Sequence, residues 1–358
     1  MLVGGAFLVI YLAVGMPGRI GAALPSTPIA ALLARASVVL PLADSSGRAV
    51  LASAVAAAVA LALMVRQTCD MLGGGPVGAF AAAAAASVVG LSLRFFLAAA
   101  MPGDGGVAVV FVAGAVLLCE RIVRLPGDSW GGLVLALVAG LGAGCPAVVA
   151  ALVWPPFVAL TLRALRRGER WPLVAPLFFV AGCGVVLGAL VVTSGGSAGH
   201  LAARLPLLSF RSVSSVHPAA LAKVFGALAL ELGEQVGVVA LLLAAAGVVV
   251  LLFRARVALA LCGWTAVAAL AVAAALPAGA RTAALAVATV AFVWPVGAGV
   301  LYFAERMGRA RIAAAVSIGV IAVVWPALDR ADLKWGCRKS ASMVRSAPEV
   351  RALDLEQR

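Results

Sequence analysis

Charge is scarce in this chain, and acidic charge is scarcest. Of 358 residues only 11% are charged, and Asp and Glu together supply 14. An ordinary soluble domain carries about 25% charged residues, which cover its core with polar surface. That cover is missing here while 64% of the residues are hydrophobic, so a water-soluble globule is excluded. Histidine occurs twice, at His200 and His217, and the six cysteines are scattered without a CxxC pair or a metal-ligand spacing. Such cysteines indicate neither a disulfide framework nor a metal cluster, and no cofactor is expected. Also absent is the two-residue alternation, in segments of about ten residues, that a transmembrane barrel needs. No internal repeat is evident, which weighs against an inverted-repeat transporter.

What is present is a series of apolar blocks of about 15 to 22 residues, the length that a bilayer core demands of a helix. They lie near 2–16, 49–65, 77–93, 106–119, 131–145, 146–162, 172–193, 230–253, 257–276, 282–303 and 310–327. The expected fold is all-α, a polytopic transmembrane helical bundle over 1–327, followed by a charged tail at 328–358. A tail of that length is too short to bury a core. Many blocks are rich in Ala and Gly, which lets helices pack backbone to backbone in lipid. The net charge of +13 comes from basic residues between the blocks. They form no stripe interleaved with aromatics, so no nucleic acid is expected as a partner. The first block has no basic stretch before it and no convincing cleavage site after it, so it is read as a span and not a signal peptide.

The stretch 131–162 reads either as one long span or as two short ones broken at Gly142, Ala143, Gly144, Cys145 and Pro146. Basic residues decide between them, because short cytoplasmic loops collect Lys and Arg. Two spans and an inward N-terminus place Arg66, Arg121, Arg124, Arg163, Arg166, Arg167, Arg170, Arg254, Arg256, Arg306, Arg309 and Arg311 on the cytoplasmic side. The short outer connections then hold only Arg94 and Arg281. A single span would throw the 163–170 cluster and every later one outside. The expectation is therefore about eleven spans, with the N-terminus cytoplasmic and the C-terminus outside. Two longer outer segments follow, near 17–48 and 194–223, of the kind that often carries function.

Within the first outer segment stand Pro25 and Pro28, a short helical stretch at 32–35 ending in Arg35, Leu40, Pro41 and Leu42, and then Arg48 opening the next span. This block resembles one in a family of multi-pass bacterial proteins related to protein O-mannosyltransferases of the GT-C membrane glycosyltransferase superfold. In that family a proline turn precedes a short helix, a Leu-Pro-Leu-Gly step and an Arg-containing helix start. Looser similarity covers most of 1–325, including the glycine-rich turn at 140–144 and a long outer loop before 224–253. The resemblance implies a GT-C-like bundle in a bacterial inner membrane. It also implies transfer of a sugar from a polyprenyl phosphate to a protein or glycan acceptor at the outer face. A divalent metal is compatible with such chemistry but is not indicated. The chain departs from the family at its first-loop carboxylates, since 16–22 contains none. Leu24 and Cys145-Pro146 stand where the family carries histidines.

Such a transfer needs a base for the acceptor proton, cations for the leaving phosphate and an apolar groove for the lipid. Asp104, in a short outer turn where family members often place an acidic residue, is the first candidate base. The competing role is a turn aspartate set between glycines for its backbone geometry. Asp44 is the second candidate, and competes with a role as helix cap. Arg204, Arg211 and His217 in the second outer loop are candidates for contact with a lipid phosphate, Arg through its two-pronged fork. A solvated loop beside anionic headgroups would carry the same charges. Glu231, Glu234 and Gln235 share one helix face by spacing. They form either a functional polar face within the membrane or the wet side of an interfacial helix over 219–235. Trp154, Trp171, Trp264, Trp294 and Trp325 lie near span ends and read as an interfacial belt. Three classes of function stay open: a transferase homologue, active or degenerate; a non-enzymatic scaffold or lipid-handling protein; and a transporter. The last would require broken helices meeting around a polar site at mid-membrane. Membrane lipids are partners under all three.

Overall fold

The computed structural model describes residues 2–15, 27–36, 45–101, 103–194, 218–276 and 281–329. Its helices are α1 (Leu2–Gly15), α2 (Pro28–Ala36), α3 (Ser45–Met71), α4 (Gly75–Gly90), α5 (Leu93–Ala100), α6 (Gly105–Arg124), α7 (Ser129–Gly142) and α8 (Ala147–Arg166). They continue as α9 (Trp171–Ser194), α10 (Pro218–Val236), α11 (Val238–Arg254), α12 (Arg256–Ala275), α13 (Arg281–Val290), α14 (Val293–Arg306) and α15 (Arg311–Asp329). No strand occurs among the described residues. Among the described residues six stretches are long and apolar enough to cross a bilayer: α3, α6, α8, α9, α12, and α13 with α14 together. The number rises to eight if the bent pairs α4–α5 and α10–α11 each make one span. Shorter apolar helices lie in α1, α7 and α15. The chain is an all-α membrane protein.

The ambiguous stretch 131–162 is a helical hairpin. Trp154 donates its indole N–H to the Ala139 carbonyl at 2.9 Å. In one continuous helix these residues would stand about 22 Å apart. The turn between them is Ala143, Gly144, Cys145 and Pro146, and the N–H groups of the first three bond back onto the last turn of α7. The same turn receives the Ile29 N–H on its Gly144 carbonyl, at 3.3 Å. Thr27, one residue before α2, bonds to Asp104 at the start of α6. Arg35, near the end of α2, donates to the carbonyls of Val192 and Thr193 at the end of α9. Hence α2, the start of α6, the α7–α8 turn and the end of α9 share one end of the bundle. The α6–α7 and α8–α9 turns lie at the other, and the Arg254–Glu305 pair at 3.6 Å joins the ends of α11 and α14 in the same way. Arginines crowd the turns of this second end.

The most buried element is α13 with α14, 94% of whose apolar window lies inside the bundle. The closest packing joins α11 to α14 and α7 to α9. Glycine makes both approaches possible. A Cβ on Gly247 would sit 1.7 Å from the Pro295 carbonyl oxygen, and one on Gly299 would sit 1.9 Å from that of Leu243. Gly140 and Gly182 bring α7 and α9 together in the same manner. Lipid offers no hydrophobic drive between helices, so such close contact carries the association.

Two expectations are corrected here. The apolar run at 230–253 is not one straight helix: it breaks at Gly237, whose φ of 86° only glycine adopts without strain, and the chain turns by 105°. Nor do Trp171 and Trp294 belong to an interfacial belt. Trp294 is wholly buried. Trp154, half-buried, and Trp264, 40% exposed, donate to the carbonyls of Ala139 and Leu152, and Trp171 is buried with its N–H on Glu169. Trp130, in the first turn of α7, is 72% exposed.

Candidate functional site

At the end opposite the arginine turns, two helices break and meet. The first break ends α4 at Gly90. Ser92 satisfies its hydroxyl on the Val89 carbonyl, and the chain leaves as α5, at 76° to α4. Tyr11 of α1 supports the corner from below, donating its hydroxyl to the Gly90 carbonyl at 2.9 Å while its ring packs against Phe7, Phe95 and Phe96. Ser53 donates to the Ala98 carbonyl at 2.7 Å and so ties α5 to α3.

The second break, at Gly237, turns α10 toward this corner. Helices begin with N–H groups that lack an intrahelical partner. In α5 one of these belongs to Arg94, and the Gln235 side chain accepts it at 3.3 Å from a different helix. The Arg94 guanidinium in turn donates through Nε to Glu231 Oε1 at 2.9 Å, with a second contact from Nη2. Gln235 Nε2 donates to the same oxygen at 3.0 Å. Arg94, Glu231 and Gln235 therefore form one closed group joining the two breaks. The charged pair is about a third exposed, with side-chain accessibilities of 30% and 36%. Of the face Glu231, Glu234 and Gln235, the first and third meet at this junction. Glu234 also has an interaction partner. The helix carrying them runs across α11 and not along it, which favours the interfacial reading of 219–235 over an intramembrane face.

Asp104 stands immediately before α6, and its side chain turns to α2 instead of capping α6. Its Oδ1 accepts the Thr27 N–H at 3.2 Å and the Thr27 hydroxyl at 2.7 Å. The carboxylate thus pins the entry of α2 to the entry of α6. Cys145 lies close by: burial pushes its thiol pKa up, and the Asp104 carboxylate adds to the rise. Asp44, Arg204, Arg211 and His217 lie outside the described residues. Among the described residues no group of His, Cys, Asp and Glu could hold a metal ion. A recess between α6, α8 and α12, lined by residues such as Val116, Cys119, Leu152 and Trp264, contains no charged side chain.

No protein-family model matches the chain, and no curated protein or solved structure is significantly similar to it. The site therefore rests on its own geometry.

Reasoning from sequence missed two members. Arg94 was assigned to a plain outer connection, although an arginine directly after the apolar block at 77–93 marks a costly charge that needs a partner. Thr27 was passed over, although a Thr before Pro is a common helix start.

Proposed function

We propose that this chain is a divergent GT-C-like membrane glycosyltransferase homologue of eleven spans, working at the end opposite its arginine-rich turns. Eleven follows if the eight candidate spans and the three shorter apolar helices all cross. The orientation follows from the positive-inside rule, which makes the site end the outer face of a bacterial inner membrane. The supporting observation is the gathering of α2, α5 and α10 at that one end, where their polar links concentrate. The helices that flank 17–48 and 194–223 in sequence have their adjoining ends here. In this reading Asp104 is the base for an acceptor hydroxyl and Thr27 orients it. Arg204 or Arg211 holds the phosphate of a polyprenyl-phosphate sugar. The missing first-loop carboxylates leave both an active enzyme and a degenerate lipid-binding homologue within the proposal.

The test is binding and turnover of a polyprenyl-phosphate sugar by the purified chain beside Asp104→Asn and Arg211→Ala variants. Saturable binding lost with Arg211→Ala, and turnover lost with Asp104→Asn, supports a working transferase. Binding without turnover points to a degenerate homologue. Absence of binding removes the proposal and leaves a non-enzymatic scaffold as the better account.

A second reading, as a transporter, is favoured by one observation: two broken helices meet on a charged pair. It ranks second because of depth. The 17 residues of α11 rise about 26 Å from the arginine end. That nearly spans the apolar core of about 30 Å, so the pair lies toward a boundary and not at the midplane. Solute uptake into proteoliposomes that disappears with Glu231→Gln would reverse the order.

A further inference from the structure

The arginines of the second end are not all alike. At the α6–α7 turn, Arg121 pairs with Asp128 at 2.6 Å and Arg124 with Glu120. Arg254 pairs with Glu305, and Arg306 lies 4.4 Å over the Tyr302 ring. The α8–α9 turn differs. Arg163, Arg166, Arg167 and Arg170 fall within eight residues, all are exposed, and none has a carboxylate within ion-pair distance among the described residues. The one acid within the turn, Glu169, accepts the Trp171 indole N–H at 2.8 Å.

Arg163 and Arg167 are one helical turn apart, so their side chains share a face of α8. They line a recess with Glu169, whose carboxylate is held by Trp171, and with Ile122 and Val123 of α6 and Leu160 and Ala164 of α8. Exposed apolar side chains border this turn, with Leu162 and Leu165 on α8 and Leu173 at the start of α9. With two guanidiniums against one carboxylate the recess is net cationic, and beside its apolar wall it is complementary to a phosphate carrying acyl chains. Orienting the chain requires positive charge on this side but does not require it to be unpaired or to frame a recess. The α8 carbonyl end gains from cations within its last turn, which holds Arg163 and Arg166, but this accounts neither for Arg170 nor for the recess.

We propose that the α8–α9 turn is a binding site for an anionic phospholipid of the surrounding leaflet. The phosphate is forked between Arg163 and Arg167, Arg166 and Arg170 supply further charge, and an acyl chain lies against Ile122, Val123 and Leu160. Basic recesses between membrane helices are suited to such headgroups, and a guanidinium fork fits phosphate better than an ammonium does. The inference needs only that the chain lies in a membrane and is independent of the glycosyltransferase reading.

The experiment is lipid binding to the purified full chain by native mass spectrometry, with diphosphatidylglycerol, phosphatidylglycerol and phosphatidylethanolamine as probes. The wild type is expected to retain the two anionic lipids and release the zwitterionic one. An Arg163→Gln/Arg167→Gln variant is expected to bind them about tenfold more weakly, a change of about 1.4 kcal/mol. An Arg256→Gln/Arg311→Gln variant, which loses the same charge at the same end, is expected to bind as the wild type does. Equal loss in both variants would reduce the effect to net charge and overturn the site. Full competition by inorganic phosphate would overturn the lipid assignment. If the first variant fails to fold, the wild type decides by salt. Retention should survive from about 0.1 M to about 1 M, where screening shortens from about 10 to about 3 Å, because acyl contact persists. Complete release at high salt would sink the proposal.

Discussion

Arg94 and Glu231 are a third exposed, so their attraction is screened and adds on the order of 1 kcal/mol or less to global stability. Their weight is local, because they and Gln235 are the cross-link between the two helix breaks. Arg94→Ala or Glu231→Gln is therefore expected to leave thermal unfolding in detergent nearly unchanged. Amide exchange over 222–236 should rise clearly in either variant. A large drop in the unfolding temperature with no local change in exchange would show that the pair is a core element instead. At the α7–α8 turn, burial is the main reason that the Cys145 thiol is held above its ordinary value, and the Asp104 carboxylate is the lesser one. A raised pKa keeps the thiol protonated, and the thiolate is the reactive form. Maleimide labelling of Cys145 near pH 7 should be slow, and Asp104→Asn should hardly speed it, since burial stays. Rapid labelling in the wild type would contradict this environment.

At the scale of elements, the bundle is held where glycine lets two backbones touch. A methyl group at Gly247 has no room before the Pro295 carbonyl. Overpacking of this kind costs about 1–3 kcal/mol or more, so Gly247→Ala should lower the unfolding temperature and yield of folded protein. Gly263 on α12 meets nothing within 4 Å, and Gly263→Ala should be neutral or stabilise by up to about 1 kcal/mol through helix propensity. Equal effects from the two substitutions would refute the backbone contact between α11 and α14. The helix pairs α4–α5 and α10–α11 carry the opposite lesson. Their apolar runs are continuous enough in composition to read as single spans, yet each turns sharply. Gly237 carries one bend through its positive φ. At the other, Tyr11 on the Gly90 carbonyl and Ser92 on that of Val89 hold the corner.

For the molecule as a whole, the two ends divide the chemistry: arginine turns at one, cross-linked short helices at the other. A cysteine placed at Ser129, exposed beside the α6–α7 turn, and one placed at Gly103, before α6, should react with a membrane-impermeant reagent from opposite sides of the membrane. With the arginine end facing the cytoplasm, only the Gly103→Cys variant is expected to label in intact cells. Labelling of the Ser129→Cys variant alone would invert the orientation.

Much of this was legible before any coordinates. The scarcity of charge, the length of the apolar blocks and the arginine spacing determined a helical membrane protein and the alternation of its turns. Those properties follow from the transfer of each segment between water and lipid, which depends on local composition alone. The fold-back at 143–146 was also legible, through the arginines beyond it. Tertiary structure decided what composition cannot encode. Arg94 is 137 positions from Glu231, and Thr27 is 77 positions from Asp104. No periodicity or propensity connects such residues. They become a site because glycine contacts set how close the helices come, and because two bends aim their ends at each other.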